Sequence, residues 1–236
     1  MIPAPAEAGR NIRIAAEETG DAEKEKNMNT NRTFYISSQN GSDANPGDAP
    51  DRAFRSLARV RDINFQPGDH LLLERGSVFQ GEFLHLTARG TAEAPILVDA
   101  YGEGPLPAIH AAGNGLWYQN YGGHLDNVVH TWKGYVSSAV LLYDAEYITL
   151  RNLEITNHPQ LPGERYNQGD RMNRTGVSVI AKDCGTLHQI ELDHLYIHHV
   201  EGNVYDKHLN NGGIYMSVSR PQDEEKTGIA RYDGVY

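Results

Sequence analysis

The chain has 236 residues, 39% of them hydrophobic, which is enough to bury a sizeable core. No stretch approaches the roughly 18 uninterrupted apolar residues that cross a bilayer. A net charge of −10, from 21 Lys and Arg against 31 Asp and Glu, repels a phosphate backbone, so nucleic acid is not an expected partner. The single cysteine, Cys184, cannot form an intramolecular disulfide and is expected to be a small buried residue.

The first 32 residues are rich in Ala, Glu and Lys and lack the apolar run of a secretory signal. We expect residues 1–32 to form a disordered or weakly helical extension and residues 33–236 to form the folded domain. As written, the sequence is that of a cytoplasmic protein; if its native start is missing, the protein is extracellular or periplasmic. The oligomeric state does not follow from the sequence.

Beyond residue 32, short runs rich in Val, Ile, Leu, Tyr and Thr alternate with Gly, Asn, Asp and Pro, a pattern typical of short strands joined by turns. One short helix is expected within residues 50–62, where Phe54 and Leu57 would cover the end of the first strands. The chain is therefore predicted to be all-β, with strands at 34–37, 70–74, 83–87, 96–100, 139–143, 147–156, 176–181, 189–198 and 213–217.

The second half of the sequence repeats itself. Residues 148–157 superpose on residues 190–199 with apolar side chains in register, and 37 residues separate Ala139 from Gly176 and Gly176 from Gly213. A unit that cannot bury its own apolar face stacks on copies of itself, so equivalent strands become parallel neighbours. This pattern predicts a parallel β-solenoid; a β-sandwich would need hairpin signals between successive strands.

The repeat also predicts where the solenoid is open. The last unit is unfinished at Tyr236, so we expect a solenoid that is N-terminally capped and C-terminally incomplete. Insertions at 158–175 and 201–212 follow equivalent strands, so we expect them side by side as one wall of a cleft.

Alternation along the repeated strands assigns their polar residues to two faces. Asn152 is expected to turn inward as a ladder residue that bonds the backbone of the next unit. Arg151 and Glu154 are expected to face outward, beside Asp193 and Tyr196 of the next unit. The triplet His194, His198 and His199 lies along a strand, where its members face different ways, so a zinc site is not expected there.

A family resemblance lies near the start of the domain. The segments FYISSQNGSDANPG at 34–47, AFRSL at 53–57 and PGDHLLLERG at 67–76 resemble the entry segment of right-handed parallel β-helix proteins of the pectate-lyase-like superfamily. The resemblance implies a right-handed parallel β-helix over residues 33–236. It also implies a carbohydrate-active enzyme, either a polysaccharide lyase or a glycoside hydrolase, with a polysaccharide or oligosaccharide as its partner.

The main functional prediction is β-elimination on a uronate-containing polysaccharide. Such a lyase must neutralise the substrate carboxylate and remove the adjacent proton. The two insertions supply suitable residues: Lys207 or His208 as the base, and Arg171 and Arg174 on the carboxylate. Two further residues in these insertions are predicted Ca²⁺ ligands, Asp170 and Asp206.

Two alternatives remain open. A β-helix glycoside hydrolase would use two carboxylates, drawn from Asp170, Glu201 and Asp206. A non-catalytic glycan-binding solenoid would depend instead on the aromatic segment that contains Trp117. For the enzyme the predicted substrate contacts are Arg171, Tyr166, Trp117, Arg151 and His199, whereas in the glycan-binding alternative the charged residues of the insertions would not matter.

Overall fold

The computed structural model describes residues 31–120, 133–158, 172–182, 184–203, 211–218 and 230–236. Within these ranges the fold is all-β with parallel sheets, as predicted, and includes two short 3-10 helices, at Pro50–Arg52 and Leu57–Asp62. Neither helix is long and apolar enough to cross a membrane. The strands are β1 Thr33–Ile36, β2 His70–Glu74, β3 Val78–Gln80, β4 Leu84–Leu86, β5 Ile96–Tyr101, β6 Ala108–His110, β7 Leu116–Asn120, β8 Lys133–Tyr143, β9 Ile148–Arg151, β10 Glu154–Asn157, β11 Asn173–Ala181, β12 Thr186–Asp193, β13 Tyr196–Val200, β14 Gly212–Val218 and β15 Arg231–Val235.

The strands form three parallel sheets. Sheet 1 has the order β1-β2-β5-β9-β12-β15, sheet 2 the order β3-β6-β10-β13, and sheet 3 the order β4-β8-β11-β14, with β7 antiparallel to β8. From β2 onward the chain passes from sheet 1 to sheet 2 to sheet 3, and then returns to sheet 1 beside the strand it left. Each passage, which we call a layer, adds one strand to every sheet.

The predicted 37-residue repeat matches the spacing between paired residues on neighbouring strands of sheet 3. In sheet 3, Val177 lies between Val140 and Ile214, each 37 residues away in the sequence. In sheet 1, Ile190 pairs with Ile148. The predicted parallel pairing of the two superposed segments is therefore confirmed.

Aliphatic side chains from all three sheets fill the interior. Burying a side chain of this kind contributes about 1.5 to 3 kcal/mol relative to leaving it in water. Residues without any exposed surface include Leu73, Val98 and Leu150 of sheet 1, Ile109 and Ile155 of sheet 2, and Val140 and Val177 of sheet 3.

Two predicted strands, 147–156 and 189–198, are each two strands in different sheets. Asn152, with φ of 58°, follows β9, and His194, with φ of 48°, follows β12. In both places the left-handed residue turns the chain from sheet 1 into sheet 2, and Asn and His adopt this conformation more readily than most residues. The apolar pattern continues across the turn, which is why the sequence indicated single strands.

The two ends of the stack differ. At the β1 end, Phe54 and Leu57 are buried in the core, as predicted, although residue 53 is extended and interrupts the expected helix. At the other end, the alternate residues Ile214, Met216 and Val218 of β14 remain 51%, 39% and 43% exposed, although they pair in register with buried residues of β11.

Candidate functional site

The corner between sheets 2 and 3 is the place from which the predicted insertions leave. Residues 159–171 and 204–210 lie outside the described residues, but the residues on either side of them are described. Asn203 N donates to Met172 O at 2.9 Å, and Glu201 N donates to Asn157 O at 3.0 Å. These bonds join the described flanks of one insertion to those of the other, and the predicted wall formed by the two insertions stays a prediction.

Asn157 is the centre of this corner and is fully buried. Its Nδ2 donates to Ser137 O at 3.1 Å and to Thr175 O at 3.0 Å, carbonyls on neighbouring strands of sheet 3. Its Oδ1 accepts from Gly113 N at 2.9 Å. One side chain therefore binds backbone groups of two successive layers. Without this partner, those buried groups would lack a hydrogen bond, at a cost in stability.

The expected inward ladder residue, Asn152, does not have that role. Its side chain is only half-buried, and Nδ2 donates to Asp99 Oδ1 at 2.7 Å, a side chain of the preceding layer. Arg151 Nε donates to the other oxygen of Asp99, also at 2.7 Å. Because the chain turns at Asn152, its side chain does not follow the alternation of β9, and the prediction of an inward ladder role for Asn152 was wrong.

Arg174 lies at the start of β11 and is 7% exposed. Its Nη1 donates to Glu201 O at 3.1 Å, and its backbone N donates to Asn211 Oδ1 at 2.8 Å. A Cβ placed on Gly113 would lie 3.4 Å from Arg174 Nε, so the guanidinium passes close to this glycine. In the structure Arg174 joins the flanks of the insertions, and its predicted contact with substrate stays a prediction.

Glu201 is half-buried, and its backbone is fixed at both ends by Asn157 O and Arg174 Nη1. It is the only one of the three predicted hydrolase carboxylates among the described residues. Within the described ranges no group of three His, Cys, Asp or Glu side chains is arranged to hold a metal ion. The predicted site residues that lie outside these ranges are Lys207, His208, Arg171, Tyr166, Asp170 and Asp206.

Trp117 lies on β7, and its side chain is partly buried. Its indole N–H donates to Ser138 Oγ at 2.8 Å, and its ring meets Tyr143 edge-on at 6.3 Å. Ser138 Oγ also contacts the hydroxyls of Thr175 and Ser178, at 2.7 and 2.9 Å, in a buried cluster. Trp117 thus joins β7 to β8 of sheet 3, and its predicted contact with substrate stays a prediction.

His199 lies where the register of sheet 2 shifts. Ile155 pairs with Ile197, but Asn157 pairs with Val200 instead of the expected His199, because the chain takes an extra residue there. His199 has φ of 46° and an exposed side chain. It is therefore placed at an outward irregularity, where contact with a substrate is sterically open.

Cys184 is partly buried, and its thiol donates to Asp144 Oδ1 at 3.1 Å. Burial, this hydrogen bond and the negative charge of Asp144 raise the pKa of the thiol to about 11. A thiol in that state is a poor nucleophile at neutral pH, which agrees with the structural role expected for it.

The sequence did not reveal a row of polar side chains on the outer face of sheet 2. Glu154 Oε1 lies 3.1 Å from His198 Nε2 and 3.6 Å from His110 Nε2. Glu154 also pairs in register with Tyr196, as predicted, and both face outward. We call this set the outer row; its four members, one per strand across the sheet, are Gln80, His110, Glu154 and His198. No repeat of residue type marks it, because each layer supplies a different side chain.

No protein-family model matches the chain. It is similar to a lacto-N-biosidase of Bifidobacterium longum subsp. longum, with 38% identity over 235 residues that cover 86% of this chain and 15% of that protein. Among solved structures it is similar to the native GH136 lacto-N-biosidase from Eubacterium ramulus, with 56% identity and a TM-score of 0.80, covering 86% of this chain and 33% of that one. The selenomethionine derivative gives 55% identity and a TM-score of 0.80, with 90% and 34% covered.

These relatives are glycoside hydrolases, which agrees with the prediction of a carbohydrate-active enzyme. They correct the choice between the two chemistries, because they favour the two-carboxylate alternative over β-elimination on a uronate. They give no support to a pectate-lyase-like identity or to calcium. The chain spans about a third or less of the length of these relatives.

Proposed function

We propose that this chain is part of a glycoside hydrolase that releases lacto-N-biose from an oligosaccharide. The observation that carries the proposal is the 56% identity, over 86% of the chain, to a lacto-N-biosidase of the same fold. Lacto-N-biose is a neutral disaccharide, so it has no carboxylate for Arg171 and Arg174 to bind. This removes the reason for a uronate-binding arginine pair and leaves Arg174 the structural role that its hydrogen bonds describe.

The scaffold in this proposal is a right-handed parallel β-helix. Its support is the constant order in which the chain visits the three sheets and the parallel pairing between successive layers. Crossovers between parallel strands of one sheet are right-handed in nearly all proteins. Each layer would then be one turn, and the corner with Asn157 would form one edge of a substrate groove.

Hydrolysis needs two carboxyl groups, one that protonates the leaving oxygen and one that attacks the sugar or activates water. Asp170, Glu201 and Asp206 are the candidates in this chain, and Glu201 has the most defined position because its peptide groups are fixed at the corner. The relatives contain further sequence, which supplies further candidates. We keep a Ca²⁺ ion at Asp170 and Asp206 as a separate proposal that the hydrolase chemistry does not need.

The test uses the full-length protein that carries this chain. We expect it to release lacto-N-biose from a nitrophenyl lacto-N-bioside and from an oligosaccharide that ends in this disaccharide. A polyuronate serves as the control substrate, because β-elimination would generate an ultraviolet-absorbing double bond. Release of the disaccharide supports the proposal, whereas new absorbance with the polyuronate, or no cleavage of either substrate, would contradict it.

Single substitutions then assign the carboxyl pair. Glu201→Gln, Asp170→Asn and Asp206→Asn should each be compared with the wild type at equal protein concentration. Loss of a general acid or base lowers kcat by about 100- to 10,000-fold. Wild-type rates in all three variants would place the pair in other parts of the protein. Added chelator tests the ion, since a bound Ca²⁺ with a role in the groove would make activity depend on it.

A further inference from the structure

The outer row crosses sheet 2 from β3 to β13, about 14 Å at three strand spacings. Ile109 and Ile155 are fully buried in the core, so their neighbours on the same strands point to the outer face. The outer row is therefore longer than one sugar ring. The row also lies on β10 and β13, the strands that lead into the corner.

In the outer row an imidazole nitrogen of His110 faces a carboxylate oxygen of Glu154. His110 Nδ1 lies 3.3 Å from Gln80 Oε1, an acceptor, so this ring nitrogen faces a partner that suits a donor. His110 Nε2 faces Glu154 Oε1 at 3.6 Å, which is too long for a hydrogen bond. A ligand hydroxyl could therefore bind both atoms.

Thr156 adds a second unsatisfied group. It pairs in register with His110, is 3% exposed, and has no hydrogen-bond partner for its hydroxyl within the described residues. His110 Nε2 likewise has no hydrogen-bond partner there, and Glu154 Oε1 lies 3.6 Å away from it. Buried polar atoms normally have such a partner. A hydroxyl both donates and accepts, so one ligand hydroxyl has the chemistry to satisfy both atoms.

An exposed aromatic ring stands beside the carboxylate. Tyr196 is 57% exposed, pairs in register with Glu154, and packs against His198 with ring centroids 4.3 Å apart. Sugar rings carry an apolar face that packs on such rings, and hydroxyls that bind carboxylates and imidazoles. Ring, carboxylate and imidazole therefore lie together on a rigid sheet.

From this arrangement we propose that the outer row and Tyr196 bind a neutral sugar unit of the substrate on the leaving-group side of the cleaved bond. The inference rests on the proposed hydrolase function and adds a subsite to it. The row contains one carboxylate, Glu154, whereas cleavage needs two. It can therefore hold a sugar but cannot supply the reacting pair.

The experiment compares two substrates in the full-length protein. A nitrophenyl lacto-N-bioside has no leaving-group sugar, whereas an oligosaccharide that ends in lacto-N-biose has one. For the oligosaccharide, Tyr196→Ala and Glu154→Gln should raise KM by about 5- to 30-fold with little change in kcat, as expected when one hydrogen bond or ring contact of about 1 to 2 kcal/mol is lost. For the nitrophenyl substrate, neither variant should change KM.

Glu191→Gln is the matched control, because Glu191 bonds Thr149 at 2.9 Å on sheet 1, away from the row. It should leave both substrates unaffected. Unchanged KM in the row variants, or an equal loss on both substrates, would overturn the subsite. If the wild type cleaves neither substrate, the proposed function fails first. Calorimetric titration of the oligosaccharide into wild type and Tyr196→Ala then decides the subsite by itself: weaker binding in the variant supports it, and equal or absent binding refutes it.

Discussion

The interior of sheet 1 and the corner between sheets 2 and 3 are equally buried, but different interactions hold them. Leu71, Val98 and Leu150 stack in register in sheet 1, and all three side chains are purely hydrocarbon. At the corner, Asn157 and Thr175 are just as inaccessible, and hydrogen bonds between layers replace the apolar contacts. The first region needs only side chains of suitable size, whereas the second needs specific partners in specific layers. The two regions should therefore respond differently to substitution.

The largest loss of stability is expected in the apolar region. Leu150→Ala removes a fully buried side chain that neighbouring strands contact on both sides, and should lower the free energy of unfolding by about 3 to 5 kcal/mol. Denaturant unfolding measures this change. Thr149→Ala on the same strand is the control and should cost about 1 kcal/mol, because it loses one bond to Glu191. Similar losses in both variants would contradict the assigned orientation of β9.

The corner should show a comparable loss for a polar reason. Asn157→Ala leaves Gly113 N and two carbonyls of sheet 3 without their partner, at a cost of about 2 to 4 kcal/mol. Asn152→Gly keeps the left-handed turn and loses one bond to Asp99, so about 1 kcal/mol is expected. Thermal unfolding of the two variants side by side decides whether Asn157 or Asn152 is the structural asparagine.

A pair of glycines tests how closely the layers approach at the corner. A Cβ on Gly176 would lie 2.6 Å from Gly213 O and 2.5 Å from a methyl of Ile197, so Gly176→Ala should cost about 1 to 3 kcal/mol. On Gly213 the nearest atom would be an ordinary 3.5 Å away, so Gly213→Ala should change stability by less than about 1 kcal/mol. Melting temperatures that rank the two variants the other way would show that the layers are spaced differently.

The sequence predicted the apolar interior well and the polar corner poorly. Alternation of apolar residues is local, so it identified most strands and the partners of Ile148 and Val177. The role of Asn157 depends on groups contributed by two layers, and no local pattern distinguishes it from Asn152. The shift of register at Val200 follows from one extra residue in β13. The repeat alignment contained no insertion at this point, so it paired Asn157 with His199.

The outer row escaped prediction for a related reason. Its members come from four layers and share no residue type, so a repeat search passes over them. Short strands were also missed where the strand is only three residues long, as in β3 and β6. Those two strands carry Gln80 and His110, so half of the outer row lies on strands that the sequence did not predict.

The smallest loss of stability is expected for the ion pair between Arg151 and Asp99, which lies at the surface of sheet 1. Arg151 Nε lies 2.7 Å from Asp99, but its side chain is 41% exposed, so solvent screens the attraction and Arg151→Ala should cost less than about 1 kcal/mol. Added salt should reduce that difference further. The same variant tests the prediction that Arg151 contacts substrate. A raised KM for the oligosaccharide, with stability nearly unchanged, would support that role. An unchanged KM would leave Arg151 as a member of a surface ion pair with Asp99. The proposed substrate contacts would then lie on sheet 2 and at the corner, and not on sheet 1.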